Sequence, residues 1–441
     1  MEAITYDESV RNLVAEMQGA REGFEGDMAD VQMHRFPTGL LGLGDRYIAP
    51  VLVAIGPYHH GSEHLHKMEQ VKRAAALHLL EGTGCSPQQV YEDVRGVADN
   101  ASKLYADLNK NLLPDFAKLM FYDACFLLYY MEVRDFDGGN SADALSKLFF
   151  SNRACIDNDV MLLENQLPLR IIRAIIKSLP QPQLYKRFVG KFIERMGTEF
   201  NITEKKHPDR FDWNLDDQDE DQSLLGLLRR YKTAGKQEPE SWLQLQGQEE
   251  EIQAVSTTSA IELAEIGIKL TASKTPVLAD MGLSDLGPLF GKLSLAPLSL
   301  NKKTECLLVN MAALEVATGV SFGQLPEHSA VCSYLSLLSM LMLRDEDVHE
   351  LRAKQILRGD ASNPEMQDFF KRVFKHLPDP GSRFTDLMFN RKLVRGGVRR
   401  LPSPLVSLSS MPTRAPPPLH PSAPDKDLEV EEDDGSLNVK L

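Results

Sequence analysis

The chain has 441 residues, of which 43% are hydrophobic and 25% charged, and a formal net charge of −14. That is enough for one large or two ordinary globular domains, and the acidic balance excludes a general nucleic-acid binder, which needs a basic footprint. The cysteines Cys85, Cys125, Cys155, Cys306 and Cys332 are odd in number and lack CxxC spacing, which argues against a disulfide framework and against a zinc site.

Residues 1–32 read as an N-terminal arm. Val10, Leu13, Val14 and Met17 give it one short amphipathic helix, ended by Gly19, Gly23 and Gly26. Its acidic residues and lack of an apolar run leave no secretory signal. Residues 33–62 carry Gly and Pro too densely for a long helix, and Gly56-Pro57 predicts a turn. Helices follow. One runs over 63–80, with Leu65, Met68, Val71, Ala75 and Leu79 facing inward. The next opens at Ser86-Pro87 in the favoured cap-then-proline order and runs to about 108. A third spans 114–133 on Phe116, Leu119, Met120, Ala124, Leu127 and Tyr130. Asp123 falls in the middle of that apolar stripe.

After a loop at 135–141 and a short helix to Phe150 comes the stretch DNDVMLLENQLPLRIIRAIIKSLP, residues 157–180. Val160, Leu163, Leu167, Ile171 and Ile175 repeat at helical spacing. Asp157 or Asn158 can cap the start. Pro168 has no N–H and removes the helical partner of the Glu164 carbonyl, so a kink or a break between two helices is expected near Leu167. Glu164 lies on the apolar stripe and must be paired, hydrogen-bonded or protonated there. Asn165 and Gln166 supply amide donors beside it.

Residues 183–196 form another amphipathic helix. Residues 198–253 are acidic and polar at both ends and read as a solvated insertion. A second helical lobe, about 254–395, opens with a helix over 259–270. Turns with a strand or two follow at 271–303, then helices at 304–318, 327–343, 345–357 and from 363 to about 376. The apolar run AVCSYLSLLSMLML at 330–343 is shorter than the roughly 20 residues of a membrane span and reads as a buried core helix. Basic residues at 391–400 lead into residues 396–441, Pro-rich and then acidic, which compose a disordered tail. The expected fold is all-α, with at most a few short strands. Its domain spans 33–395 in two lobes, about 33–197 and 254–395.

His59, His60, Asp123 and Glu164 are the chemistry-bearing set, with Asn165 and Gln166 beside them. Two carboxylates on apolar helical faces and a His pair in a turn could form a metal site or an acid–base pair. The favoured reading is a buried polar network that docks the His-bearing loop on the helices, the third being that these residues lie apart. The G-x-S-x-G match at 319–323 follows a helix rather than a strand, so it lacks the context of a nucleophile elbow.

Several segments together resemble a plant family called domain of unknown function 247. They are IGPYHHG (Ile55, Gly56, Pro57, Tyr58, His59, His60, Gly61), LHKMEQVKR at 65–73, YDACFLL at 122–128 with Asp123 and Cys125, and DVMLLENQLP at 159–168 with Glu164, Asn165, Gln166 and Pro168. SAIELAEIGIKL at 259–270, TECLLVNMAALE at 304–315 and DEDVHELRAKQIL at 345–357 complete the series. Ala124 stands where the family usually has Gly. The resemblance implies a mostly helical plant protein with no established activity. Its members usually end in one membrane-spanning helix at the plasma membrane, and some grass members are linked to self-incompatibility. This chain has its Pro-rich and acidic tail where that helix would come, and so reads as soluble, cytoplasmic or membrane-peripheral. The expectation is a non-enzymatic interaction or recognition component with a protein partner, no cofactor and no nucleic acid. The alternatives are an enzyme or metal site on His59, His60, Asp123 and Glu164, and a soluble truncated form of a membrane-anchored relative.

Overall fold

Apolar residues at three- and four-residue spacing become the helices that carry this fold. A computed structural model describes residues 12–21, 31–135, 143–201, 213, 223–233, 259–265, 267–285, 291–318 and 329–378. These residues fall in one unit, Met1–Arg399; the unit Arg400–Leu441 lies outside the described residues. So do the tail at 396–441, the basic run at 391–400 and the G-x-S-x-G match at 319–323. Residues 12–21 are helical, with Leu13, Val14 and Met17 exposed.

Helix α1 spans His66–Thr83, α2 spans Pro87–Ser102 and α3 spans Phe116–Asp135. α3 is buried nearly all round because Met120, Ala124, Phe126, Leu127, Leu128 and Tyr130 leave it no polar face. It packs against α1, α2, α6 (Leu169–Ser178) and α7 (Pro182–Thr198). Between them lie α4, Ala144–Ser151, capped by Asp143, and α5, Arg153–Asp159.

The stretch expected to kink or break near Leu167 is broken more deeply than Pro168 alone requires. α5 stops at Asp159, residues 160–168 are irregular, and α6 begins after Pro168, which sits at its N-cap. Val160, Leu163 and Leu167 are buried, but not as a helical stripe. Asp157 does not cap a helix; it lies inside α5, whose N-cap is Asn152.

Within the segment expected as a solvated insertion, residues 224–233 form α8, Leu224–Thr233. Leu224, Leu225, Leu227 and Leu228 are buried, and α8 packs on α7 and on α10, Lys302–Ala317. The run LLGLLRRY carries enough apolar surface to be held in the core despite its polar flanks.

The helix expected over 259–270 is shorter. α9 covers Ala260–Glu265, Gly267 adopts φ 90°, and Ile268–Ala272 becomes strand β1. Ile268 and Leu270 face inward and Lys269 outward, which is the period of a half-buried strand. β1 pairs in parallel with β3, Gly291–Leu295, and β3 pairs antiparallel with β2, Gly282–Asp285. β4, Leu298–Leu300, pairs in parallel with β5, Leu357–Gly359. Leu357, expected at the end of a helix, is therefore strand, because α12 (Asp345–Ala353) ends before Gln355, whose φ is 58°.

α11, Ala330–Leu341, is the core helix expected from the 330–343 run, and it packs against α13, Asn363–His376. Among the described residues no helix is long and apolar enough to cross a membrane. The molecule is predominantly helical with a few short strands. A continuous apolar core reaches from Met33 through α3 and α6 to α10, α11 and α13.

Candidate functional site

The IGPYHHG loop has no strand or helix of its own at residues 53–61 and meets Asp123 of α3 and Asn165 of the irregular 160–168 segment. Its backbone N–H groups are buried with it and need acceptors. Side chains supply them. Asp159 Oδ1 accepts from Val51 N at 3.0 Å, and its Oδ2 accepts from Leu52 N at 2.7 Å and Val53 N at 2.9 Å. Ile55 N donates to Asn165 Oδ1 at 2.6 Å, and Asn165 Nδ2 donates back to the Val53 carbonyl at 3.0 Å and the Asp159 carbonyl at 2.8 Å. Gly56 N donates to Asp123 Oδ2 at 2.8 Å.

Asp123 is 0% exposed, and its Oδ1 lies 2.6 Å from the Nζ of Lys72, which is also 0% exposed and reaches Glu69 at 2.7 Å. Burial pushes the Asp123 carboxyl up from its usual range, while Lys72 and the Gly56 N–H oppose it. For Lys72, burial favours the neutral amine, but Asp123 and Glu69 outweigh it and raise the ammonium above its ordinary value. The charged pair, with Glu69 and the Gly56 N–H as its two bonded neighbours, is the state this geometry favours.

Gln166 closes the irregular 160–168 segment. Its Nε2 donates to the carbonyls of Val160 at 2.8 Å and Leu162 at 2.7 Å, and its Oε1 accepts from Leu225 N at 3.0 Å. These are carbonyls and an N–H that the helix break and the start of α8 leave without helical partners. Asn310 on α10 does the same from the other side, accepting from Leu163 N at 2.7 Å.

Glu164 is handled separately. Its Oε1 accepts from Phe36 N at 2.8 Å, and its Oε2 meets Arg35 Nη1 at 3.2 Å and His59 Nε2 at 3.7 Å. Burial lowers the His59 imidazole below its ordinary value; Glu164 opposes that and Arg35 adds to it. At 3.7 Å the imidazole and the carboxylate do not form a hydrogen bond. Glu164 already serves Phe36 and Arg35, so it is a poor base for His59. Arg35 also stacks on Tyr58 at 3.8 Å from the ring centre, and the Tyr58 hydroxyl donates to the Met33 carbonyl at 2.6 Å and the Ala106 carbonyl at 2.8 Å.

The structure thus brings Asp123 and Asn165 to the docked loop, sets the Gln166 carbonyl beside Gly56, and puts His59 near Glu164. It leaves His60 exposed, with none of these bonds. Asp123 and Glu164 share no partner. Ile55, Gly56 and Pro57 are the buried part of the loop, and Cys125 is fully buried on α3, where burial raises its thiol and keeps it inert. Among the described residues no group of three His, Cys, Asp or Glu could hold a metal ion.

Two members of the network escaped the sequence reading. Lys72 sits at the spacing of Met68, Ala75 and Leu79, so a charged residue on an apolar stripe was visible there, masked by its neighbour Val71. Asp159 gave no such signal, because its three partners lie more than a hundred residues earlier in the chain.

The family model for domain of unknown function 247, described as a plant protein of unknown function, matches residues 33–392. The UPF0481 protein At3g47200 of Arabidopsis thaliana is 24% identical over 367 residues, which is 78% of this chain and 72% of that protein. No solved structure matches.

Proposed function

The chain belongs to this plant family of unknown function, and from that premise we propose that it is a non-enzymatic interaction component, with the 51–61 loop as a rigid recognition surface for a protein partner. One observation carries the proposal: Asp123, the residue best placed for chemistry, is 0% exposed and spends both carboxylate oxygens on Lys72 and on the loop backbone. The carboxylate best able to serve catalysis instead helps to hold a loop still. A loop fixed this way loses little conformational entropy on binding. Its outward side presents Val51 (66% exposed), His60 and Gly61.

The test is the native size of the full chain, tagged at its N-terminus and expressed in plant cells. The expected result is a partner-bearing species heavier than 49.3 kDa. Val51→Asp combined with His60→Asp returns the chain to its monomer mass without moving its thermal midpoint. A wild-type chain that runs alone, or a complex indifferent to the double variant, overturns the proposal.

A further inference from the structure

We propose that a second site, a cationic cleft between α3, α5, α7 and the start of α10, binds a small molecule through a dianionic phosphate group. The cleft has a volume of about 540 Å³ and is lined by Arg134, Arg153, Arg195 and Lys303 with two carboxylates, Asp157 and Glu199. Four cations against two carboxylates leave a formal excess of two positive charges in a chain whose net charge is −14. A phosphate monoester, at about −1.5 to −2 near neutral pH, matches that excess.

The arrangement is built rather than incidental. Asp157 is buried and acts as the anchor: its Oδ1 accepts from the Tyr130 hydroxyl at 2.7 Å, and its Oδ2 meets Arg134 Nη2 at 2.7 Å and Lys303 Nζ at 3.1 Å. Lys303 also reaches Glu199 at 2.9 Å, and Arg195 Nη1 donates to the Arg134 carbonyl at 2.9 Å. These bonds fix the cations in place from three separate helices. Arg134 is itself buried, 8% exposed, and its Nε has no acceptor among the described residues. A guanidinium held at one nitrogen with donor capacity remaining is suited to a planar or tetrahedral oxyanion. The volume exceeds that of inorganic phosphate and leaves room for the rest of a small phosphorylated molecule. The cleft shares no residue with the loop network, so its failure would leave the proposed function untouched.

Binding of inorganic phosphate and of glucose 6-phosphate to the full chain, by titration calorimetry at fixed ionic strength, tests the site. The expected result is saturable one-to-one binding, tighter for the sugar phosphate, that chloride at equal ionic strength does not reproduce. Lys303→Gln weakens it about tenfold, the loss of one charge-assisted hydrogen bond. Glu199→Gln, at a partly exposed position, removes a repelling carboxylate and tightens it severalfold. If Lys303→Gln fails to fold, the Glu199→Gln result decides. No saturation, equal binding of chloride, or affinity unchanged in Glu199→Gln would each overturn the proposal.

Discussion

Gly56→Ala and Gly61→Ala alter two glycines of the same seven-residue loop and should differ severalfold in cost. Gly56 has φ 74°, and a Cβ there would lie 2.6 Å from the Gln166 carbonyl oxygen and 3.1 Å from the Tyr105 hydroxyl. Gly61 has φ 84°, but a Cβ there would meet nothing within 4 Å. Both variants carry the left-handed backbone penalty of an L-residue, about 1 kcal/mol. Only Gly56→Ala must also displace a backbone carbonyl. That movement costs the Tyr105 hydroxyl its 2.9 Å bond to Gln166 and strains the 2.8 Å bond from Gly56 N to Asp123. At about 1 kcal/mol for the neutral bond and about 1.5–3 for the one to a carboxylate, Gly56→Ala should destabilise by about 4 kcal/mol and Gly61→Ala by about 1. Urea unfolding followed by circular dichroism measures both. Equal shifts in the two midpoints would refute the account of a loop seated on Gln166 and Asp123.

Two further predictions concern buried charge. Lys232 is buried, with the Pro276 carbonyl at 2.8 Å and the Phe200 ring at 4.9 Å as neighbours, and burial depresses its ammonium from 10.5 to about 7. The unfolded chain keeps the ordinary value, so the folded state bears a penalty that is full below pH 7, shrinks between about 7 and 10.5, and vanishes above. That gap corresponds to about 5 kcal/mol. Lys232→Met should therefore stabilise the protein by about 3 kcal/mol at pH 6, after the lost hydrogen bond, with the gain fading by pH 10; denaturant midpoints across pH that show a constant difference would count against it. Glu315 on α10 is fully buried and caps α11, accepting from Val331 N at 3.1 Å and Cys332 N at 2.9 Å, and it also pairs with Arg229 at 2.9 Å. Glu315→Ala leaves two buried N–H groups without that acceptor and should cost about 3–5 kcal/mol, with Glu315→Gln costing clearly less in the same unfolding assay.

Much of this was legible in the chain. Periodicity located most helices, put Asp123 inside and required partners for Glu164. Pro168 announced the start of α6, though not the end of α5 at Asp159. Asn165 and Gln166 were legible as amides beside a helix break that needs donors and acceptors. What periodicity could not give was the partner of each group. His59 and His60 are neighbours with one sequence signal between them, yet one meets Glu164 and the other faces solvent, because a turn sends successive side chains apart.

By itself, the sequence determined which faces are apolar, where the chain must turn, and which polar residues could not be left bare in a core. Those are local properties, set by side-chain spacing and by what Pro and Gly do to the backbone. Only the tertiary structure decided that Asp159 serves Val51, Leu52 and Val53, that Lys72 neutralises Asp123, and that Asp157 gathers Arg134 and Lys303 into one cleft. It also decided that residues 268–272 are strand, through pairing with a segment more than twenty residues on. In each case the deciding energy is the satisfaction of a buried hydrogen-bonding group by a distant one, and spacing along the chain carries no record of that distance.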